Sequence, residues 1–176
     1  INKNLNIICF NEKQLIGNGM TLPSGPLREP FSSLKECQIV VINGNTNNEF
    51  EKKIKNVSNN ISIYYSNYLP TNIEKFKDQR LLAFAGIGNP ENFFDLLEKN
   101  DLKIIKKISF PDHYNYSLKE LNELTSFSFK NNLKIITTEK DFFRIEHYKL
   151  PQIQYLNVKL VILKKDIFEK EIIKYL

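Results

Sequence analysis

The sequence predicts an α/β fold, a Rossmann-like three-layer domain built on a mainly parallel sheet. Two observations carry this. Short β-branched apolar runs recur along the 176 residues with helix-like segments between them. Several of these runs are continuous rather than alternating, as in QIVVIN (Gln38 to Asn43), which predicts strands covered by helices on both faces. At 176 residues and 41% hydrophobic, the chain suffices for one domain of ordinary composition with one core.

Each element has a local reason. Leu5 to Phe10 (LNIICF) is a strand by length and composition. Gly17 to Pro30 holds three of the six glycines and three of the seven prolines, so it reads as an ordered loop or a crossing between substructures, with no helix until about Phe31. After the strand Gln38 to Asn43, Asn48 to Val57 is a lysine-rich helix; a solvated face explains its lysines more simply than anionic lipid does. Ile61 to Tyr65 and Leu81 to Ala85 are strands. Asn89, Pro90 and Glu91 supply a cap, a first-turn proline and a favourable carboxylate ahead of Phe93, Phe94, Leu96 and Leu97, and Asn100 closes that helix. Ile104 to Phe110 is the next strand. Ser117 to Glu120 is a capping box before Leu121 and Leu124. Leu133 to Thr137 and Val158 to Leu163 complete the strands, and Ile167 to Tyr175 is a short amphipathic helix.

Composition excludes several classes. The net charge is +5 and the pI about 9.0, but the positive charge is nearly all lysine: Arg28, Arg80 and Arg144 are the only arginines, and Ala83 and Ala85 the only alanines. A skewed codon supply accounts for the basic balance, and with no Arg-rich stripe, RNP motif or zinc finger the sequence predicts no nucleic-acid partner. Cys9 and Cys37 lie in apolar or mixed runs without metal-ligand spacing and read as buried, reduced thiols. No run approaches the roughly 18 to 20 apolar residues needed to span a bilayer, and no signal-peptide pattern opens the chain. The sequence begins at Ile1 with no Met before Met20, which reads as a chain cut from something longer.

Four constellations offer chemistry. In Ala83 to Phe94 (AFAGIGNPENFF) a buried strand runs into Gly86, Ile87 and Gly88, and a helix starts at Asn89 or Pro90. Glycines admit a sharp turn and close backbone approach, and a helix N-terminus offers unpaired N–H groups to an anion. Glu91 occupies the third glycine position of G-x-G-x-x-G, so taken alone a tight strand-to-helix turn in a Rossmann-like layer is the simpler account of these residues. In Ser109 to Tyr116 (SFPDHYNY), Asp112 and His113 follow a strand at the sheet edge where open α/β folds bind ligands, and histidine trades protons near neutral pH; a local turn is the alternative. In Leu22 to Pro30 (LPSGPLREP), prolines pin Arg28 and Glu29, for a phosphate contact, a metal-bound water or a structural ion pair capping the next helix. In Thr137 to Asp141 (TTEKD), Thr138, Glu139 and Lys140 lie on the same ligand-bearing edge, with a solvated turn and an Asp141 helix cap as the simpler account. His147, in a polar stretch, reads as surface. No Walker A, H-E-x-x-H or G-x-S-x-G motif occurs.

In this order, LPSGPLREP, VING (Val41 to Gly44), FAGIGNPENFF, SFPDHYNY and TTEKD resemble the C-terminal half of the tetraacyldisaccharide 4′-kinase (lipid A 4′-kinase) family, over roughly Gly17 to Arg144. The resemblance implies the C-terminal lobe of a two-lobed P-loop kinase. Residues 1–30 would be a strand and Pro/Gly-rich hinge crossing from a preceding lobe, and 31–176 the Rossmann-like lobe. It further implies transfer of the γ-phosphate of ATP, with Mg²⁺, to the 4′-hydroxyl of an acylated glucosamine disaccharide 1-phosphate at the cytoplasmic face of the bacterial inner membrane. ATP, Mg²⁺ and the membrane surface would all be engaged through the preceding lobe, and this chain alone would be inactive. His113 matches the family histidine that pairs with a catalytic Asp. Arg28 and Glu29 match the hinge Arg-Glu, with Arg28 toward the phosphates and Glu29 toward the nucleotide and, indirectly, the metal. Gly86, Gly88, Asn89, Asp112 and Lys140 fall on the cleft edge. Tyr114 stands where many members carry a second His, and Phe142-Phe143-Arg144 replaces small or aliphatic residues. The rival function is a non-catalytic Rossmann-like domain that binds a nucleotide or phosphorylated sugar at Gly86 to Pro90.

Overall fold

The structure, a computed structural model, describes residues 4–175. The chain divides into two compact units, one formed by residues 1–69 and 160–176 and the other by the uninterrupted segment 70–159. Where the sequence reading expects one core, each unit has its own sheet.

In the first unit β1 (Ile7–Asn11), β2 (Ile39–Asn43) and β3 (Ser62–Pro70) pair in parallel, and β8 (Val158–Ile162) joins them in the order β1-β2-β3-β8. Side chains alternate across a strand, and β2 shows the consequence. Val40 and Ile42 pack with Phe50 and Ile54 of α1 (Asn48–Val57), while Ile39 and Val41 face Phe168 and Ile172 of α5 (Lys165–Ile173). A helix on each face buries β2 throughout, hence its unbroken apolar run. The edge strand β1 differs. Ile8 and Phe10 pack on the α1 side, but Ile7 and Cys9 are exposed on the other, so Cys9 is not the buried thiol its apolar run suggests; Cys37 is buried.

The second unit contains a wholly parallel sheet in the order β5-β4-β6-β7, from β4 (Arg80–Ala85), β5 (Lys103–Ser109), β6 (Lys134–Thr138) and β7 (Ile153–Leu156). In the central strand, Leu81, Ala83 and Ala85 face Phe93, Phe94 and Leu97 of α2 (Pro90–Glu98). Leu82 and Phe84 face Leu121 of α3 (Leu118–Lys130) and Ile145 of α4 (Glu139–Ile145). Burying one large apolar side chain fully contributes about 1.5–3 kcal/mol, so β4 and the helices over it dominate this core. The edge strand β5 shows only Ile104 and Ile108 to the two cores and reads KIIKKIS because its other positions meet solvent. The strand β7 (IQYL) was not expected: at four residues with a polar Gln154 it carries too little pattern.

Helix ends follow the sequence closely. Ser117 accepts from the Glu120 N–H at 3.2 Å while Glu120 accepts from the Ser117 N–H at 2.9 Å, the reciprocal box that starts α3. At α4 the cap is Thr138, whose hydroxyl accepts from the Asp141 N–H at 3.1 Å; Asp141, expected as the cap, lies inside the first turn. Gly17 to Pro30 is loop, crossed by a Thr21–Leu27 bridge, and a 3-10 turn follows at Phe31–Glu36. No helix among the described residues is long and apolar enough to cross a membrane.

Candidate functional site

Unit two places three loops at the carboxyl ends of its central strands. From β4 the chain crosses by α2 to β5 on one side and then by α3 to β6 on the other, so the direction of winding reverses between β4 and β6. In open parallel sheets such a reversal opens the crevice where ligands bind. The loops that follow β4, β5 and β6 carry Gly86 to Asn89, Pro111 to Tyr116 and the start of α4.

The first and third of these loops are joined by a buried carboxylate. Asp141 has no exposed side-chain surface, and its Oδ2 accepts from the Gly86 N–H at 2.9 Å and from the Thr138 hydroxyl at 2.7 Å. Its Oδ1 accepts from Nη1 of Arg144 at 2.9 Å, and the same Nη1 donates to the Gly86 carbonyl at 2.8 Å. A buried charge is tolerable only when paired and hydrogen-bonded, and Asp141 meets both conditions. The Tyr116 hydroxyl is buried without a hydrogen-bond partner among the described residues; burial, then the Asp141 carboxylate, pushes its phenol far up. A Cβ on Gly86 would stand 2.5 Å from that hydroxyl, which is why the position needs glycine.

His113 stands at the tip of the middle loop. Behind it Phe110, Tyr114 and Tyr116 pack edge-on or tilted, with centroids 4.8 to 5.2 Å apart, and Phe110 meets Phe84 of β4 at 6.1 Å. Tyr114 is also fastened by its hydroxyl, which donates to Glu120 at 2.6 Å. That bond and those from Ser117 depress the Glu120 carboxyl to about 2, Ser117 being the larger cause. On this anchored base His113 takes a left-handed φ of 57°, uncommon outside glycine, and its N–H donates to Asp112 Oδ1 at 2.9 Å. The ring is 71% exposed as a side chain, yet Nη2 of Arg144 donates to its Nδ1 at 3.0 Å. Nε2 lies 3.9 Å from Asp112 Oδ2, beyond hydrogen-bond reach.

The other expected residues are placed as follows. Gly86 is buried, and both of its backbone groups are engaged; the carboxylate of Asp141 already occupies the N–H that an anion would take. Gly88 and Asn89 are exposed; Asn89 is the N-cap residue of α2 but makes no capping side-chain bond, and a Cβ on Gly88 would meet Asp112 Oδ2 at 3.3 Å. Lys140 is exposed in the first turn of α4. Arg28 and Glu29 belong to the first unit and are both exposed. No hydrogen bond or ion pair joins them among the described residues, and no side chain caps the turn that follows, so the structural ion pair weighed above is not what these residues form. Glu29 is close enough to Cys37 to add to the upward push that burial gives that thiol. His147 is exposed and stacks on Tyr148, with centroids 3.9 Å apart.

The sequence reading missed Arg144 as a site residue and took Asp141 as a cap only. A signal was present: in a chain whose cations are nearly all lysine, an arginine three residues after an aspartate marks a place where a planar fork is needed.

The family model described as tetraacyldisaccharide-1-P 4′-kinase matches residues 1–176. The chain belongs to the tetraacyldisaccharide 4′-kinase family. The family member from Pelagibacter ubique is 42% identical over 99% of this chain and 56% of its own length, and that from Rickettsia bellii 35% identical over 98% and 53%. The chain thus spans about half the length of the curated relatives it matches. Among solved structures, LpxK from Aquifex aeolicus, crystallised in complex with ATP, matches with a TM-score of 0.64 at 20% identity, over 99% of this chain and 53% of that one. The α/β fold with mostly parallel sheets is therefore one that a member of the 4′-kinase family adopts.

Proposed function

We propose that this chain supplies the C-terminal part of an ATP-dependent kinase that phosphorylates the 4′-hydroxyl of an acylated glucosamine disaccharide 1-phosphate in lipid A biosynthesis, at the cytoplasmic face of the bacterial inner membrane. The observation that carries the reading is His113, exposed at the carboxyl edge of a parallel sheet within a chain that belongs to the 4′-kinase family. In this reading residues 1–30 form the hinge crossing and 31–176 the second lobe. No nucleic acid takes part.

Phosphoryl transfer depends on positioning and charge stabilisation, with a basic group orienting the attacking hydroxyl. His113 suits the second task. With Nδ1 engaged by Arg144, its Nε2 is left to assist a carboxylate in taking the hydroxyl proton. Arg28 suits the first, as an unengaged guanidinium for phosphate oxygens, with Glu29 beside it on the nucleotide side. Among the described residues no three His, Cys, Asp or Glu side chains gather as a metal ion needs, and the Gly86 N–H is taken by Asp141. The residues here thus do not by themselves fit Mg²⁺ or the nucleotide's phosphates; both are assigned to the preceding lobe, and the 176-residue chain alone is expected to transfer no phosphate. Asp112, Gly88, Asn89 and Lys140 line the cleft edge in this reading. The engaged Gly86 N–H also favours it over a phosphate-binding module centred on that turn.

The test is His113→Ala in the full-length enzyme. The kcat for ATP-dependent phosphorylation of the disaccharide is expected to fall about 10²- to 10⁴-fold with little change in KM. An unchanged kcat overturns the role given to His113.

A further inference from the structure

We propose that Arg144 is a positioning residue for His113, fixing both the direction of its ring and the nitrogen that carries its proton. The inference rests on the kinase reading and goes beyond it, to a residue outside the loop that bears the histidine.

The guanidinium touches all three loops of the sheet edge: Nη1 donates to the Gly86 carbonyl after β4 and to Asp141 after β6, and Nη2 donates to His113 Nδ1 after β5. Arginine carries donors and no acceptor, so the 3.0 Å contact makes Nδ1 the acceptor and puts the ring proton on Nε2. An exposed imidazole at a left-handed backbone position has little else to hold it: Asp112 accepts from its backbone N–H, and Nε2 is 3.9 Å from the nearest carboxylate oxygen. The guanidinium is itself held, 22% exposed as a side chain, by a carboxylate with no exposed surface. The order of support runs outward, from Asp141 through Arg144 to the ring. A neutral imidazole presenting Nε2–H can donate to a carboxylate and hold it toward a substrate hydroxyl; a ring free to turn about χ2 offers either nitrogen at random. Lysine cannot substitute, because one nitrogen on a flexible stem cannot keep the Asp141 and Gly86 contacts and also reach the ring.

The test uses the full-length enzyme with ¹⁵N-labelled histidine. Two-bond ¹H–¹⁵N spectra read which ring nitrogen bears the proton, the His113 signals being assigned by their loss in His113→Asn. The expected result is a neutral ring with its proton on Nε2 in the wild type. In Arg144→Lys that signature is lost and kcat falls at least about tenfold with KM within about twofold, while the melting temperature, held by the retained charge beside Asp141, changes little. A proton on Nδ1 in the wild type, or wild-type kcat in Arg144→Lys, overturns the inference. A wild-type ring with its proton on Nδ1 overturns the inference even if replacements of Arg144 fail to fold. His113→Ala separates the two levels: normal kcat there overturns the kinase reading of His113 itself, and this role with it, whereas a dead His113→Ala beside a fully active Arg144→Lys overturns the positioning role alone.

Discussion

The two units hold their candidate residues in opposite ways. In the first, Arg28 and Glu29 stand exposed on a proline-flanked loop with no hydrogen bond or ion pair among the described residues. In the second, exposed His113 is the outer end of a chain of bonds whose inner end, Asp141, has no exposed surface. Side chains that meet a charged ligand by long-range attraction tolerate latitude, since the ligand itself orders them. A group that exchanges or directs a proton does not, because geometry decides its efficiency. The contrast therefore matches the proposed division of labour between charge at the hinge and proton handling at the sheet edge.

The comparison breaks first at Asp141. Replacing it by Ala leaves Arg144 and the Gly86 N–H without their partner in a buried site, and is expected to lower stability by about 3–5 kcal/mol in urea unfolding; a loss under about 1 kcal/mol would place the second unit's site on the same loose footing as the first. Gly86→Ala comes next. Its Cβ would stand 2.5 Å from the Tyr116 hydroxyl and 3.3 Å from Asp141, so one of the two must move, at a cost of about 1–3 kcal/mol in melting experiments, with Gly88→Ala close to neutral as the control.

Acid sharpens the contrast more gently. Glu120 is held at about 2 in the folded protein against an ordinary value of 4.5, so between those values the unfolded chain takes up the proton first. Its contribution is present above about 4.5 and is lost as the pH falls toward about 2. Glu120→Gln should flatten that part of the stability–pH curve, and an unchanged curve would show that the bonds from Ser117 and Tyr114 do not anchor the His113 loop. The smallest structural effect is expected in the proline-flanked loop of the first unit. Arg28→Ala and Glu29→Ala should each change stability by less than about 0.5 kcal/mol. In the full-length enzyme both should nonetheless cut phosphoryl transfer sharply; a stability loss of several times that size would mean that the loop is part of the fold's own support.

Much of this was legible in the sequence because the responsible physics is local. Continuous apolar runs marked β2 and β4, strands covered on both faces, and the capping box and Asn48 to Val57 fell where side-chain chemistry put them. What escaped depends on position in the sheet. Cys9 has the same apolar neighbours as a core residue but lies on an edge strand with one uncovered face, and no run of letters reports which strand is the edge. The candidate site divides the same way. His113 could be named from its type and its place after a strand, whereas Arg144 becomes relevant only when three loops distant in sequence converge, through bonds spanning 58 residues to Gly86 and 31 to His113.

The path of the chain has a consequence for synthesis. Strands β3 and β8 are neighbours in one sheet, yet residues 71–157, nearly all of the second unit, are translated between them. The second unit is one uninterrupted stretch with its own apolar centres, so it can fold on the ribosome as soon as it emerges. The first must wait, its β3 edge open for roughly ninety residues of elongation, which at about 5–20 residues per second is several seconds or more. During that interval β3 displays unpaired backbone groups that invite association with other chains. The lysines of α1 and the charged ends of α5 then bear on the nascent protein's solubility as well as on the mature one's.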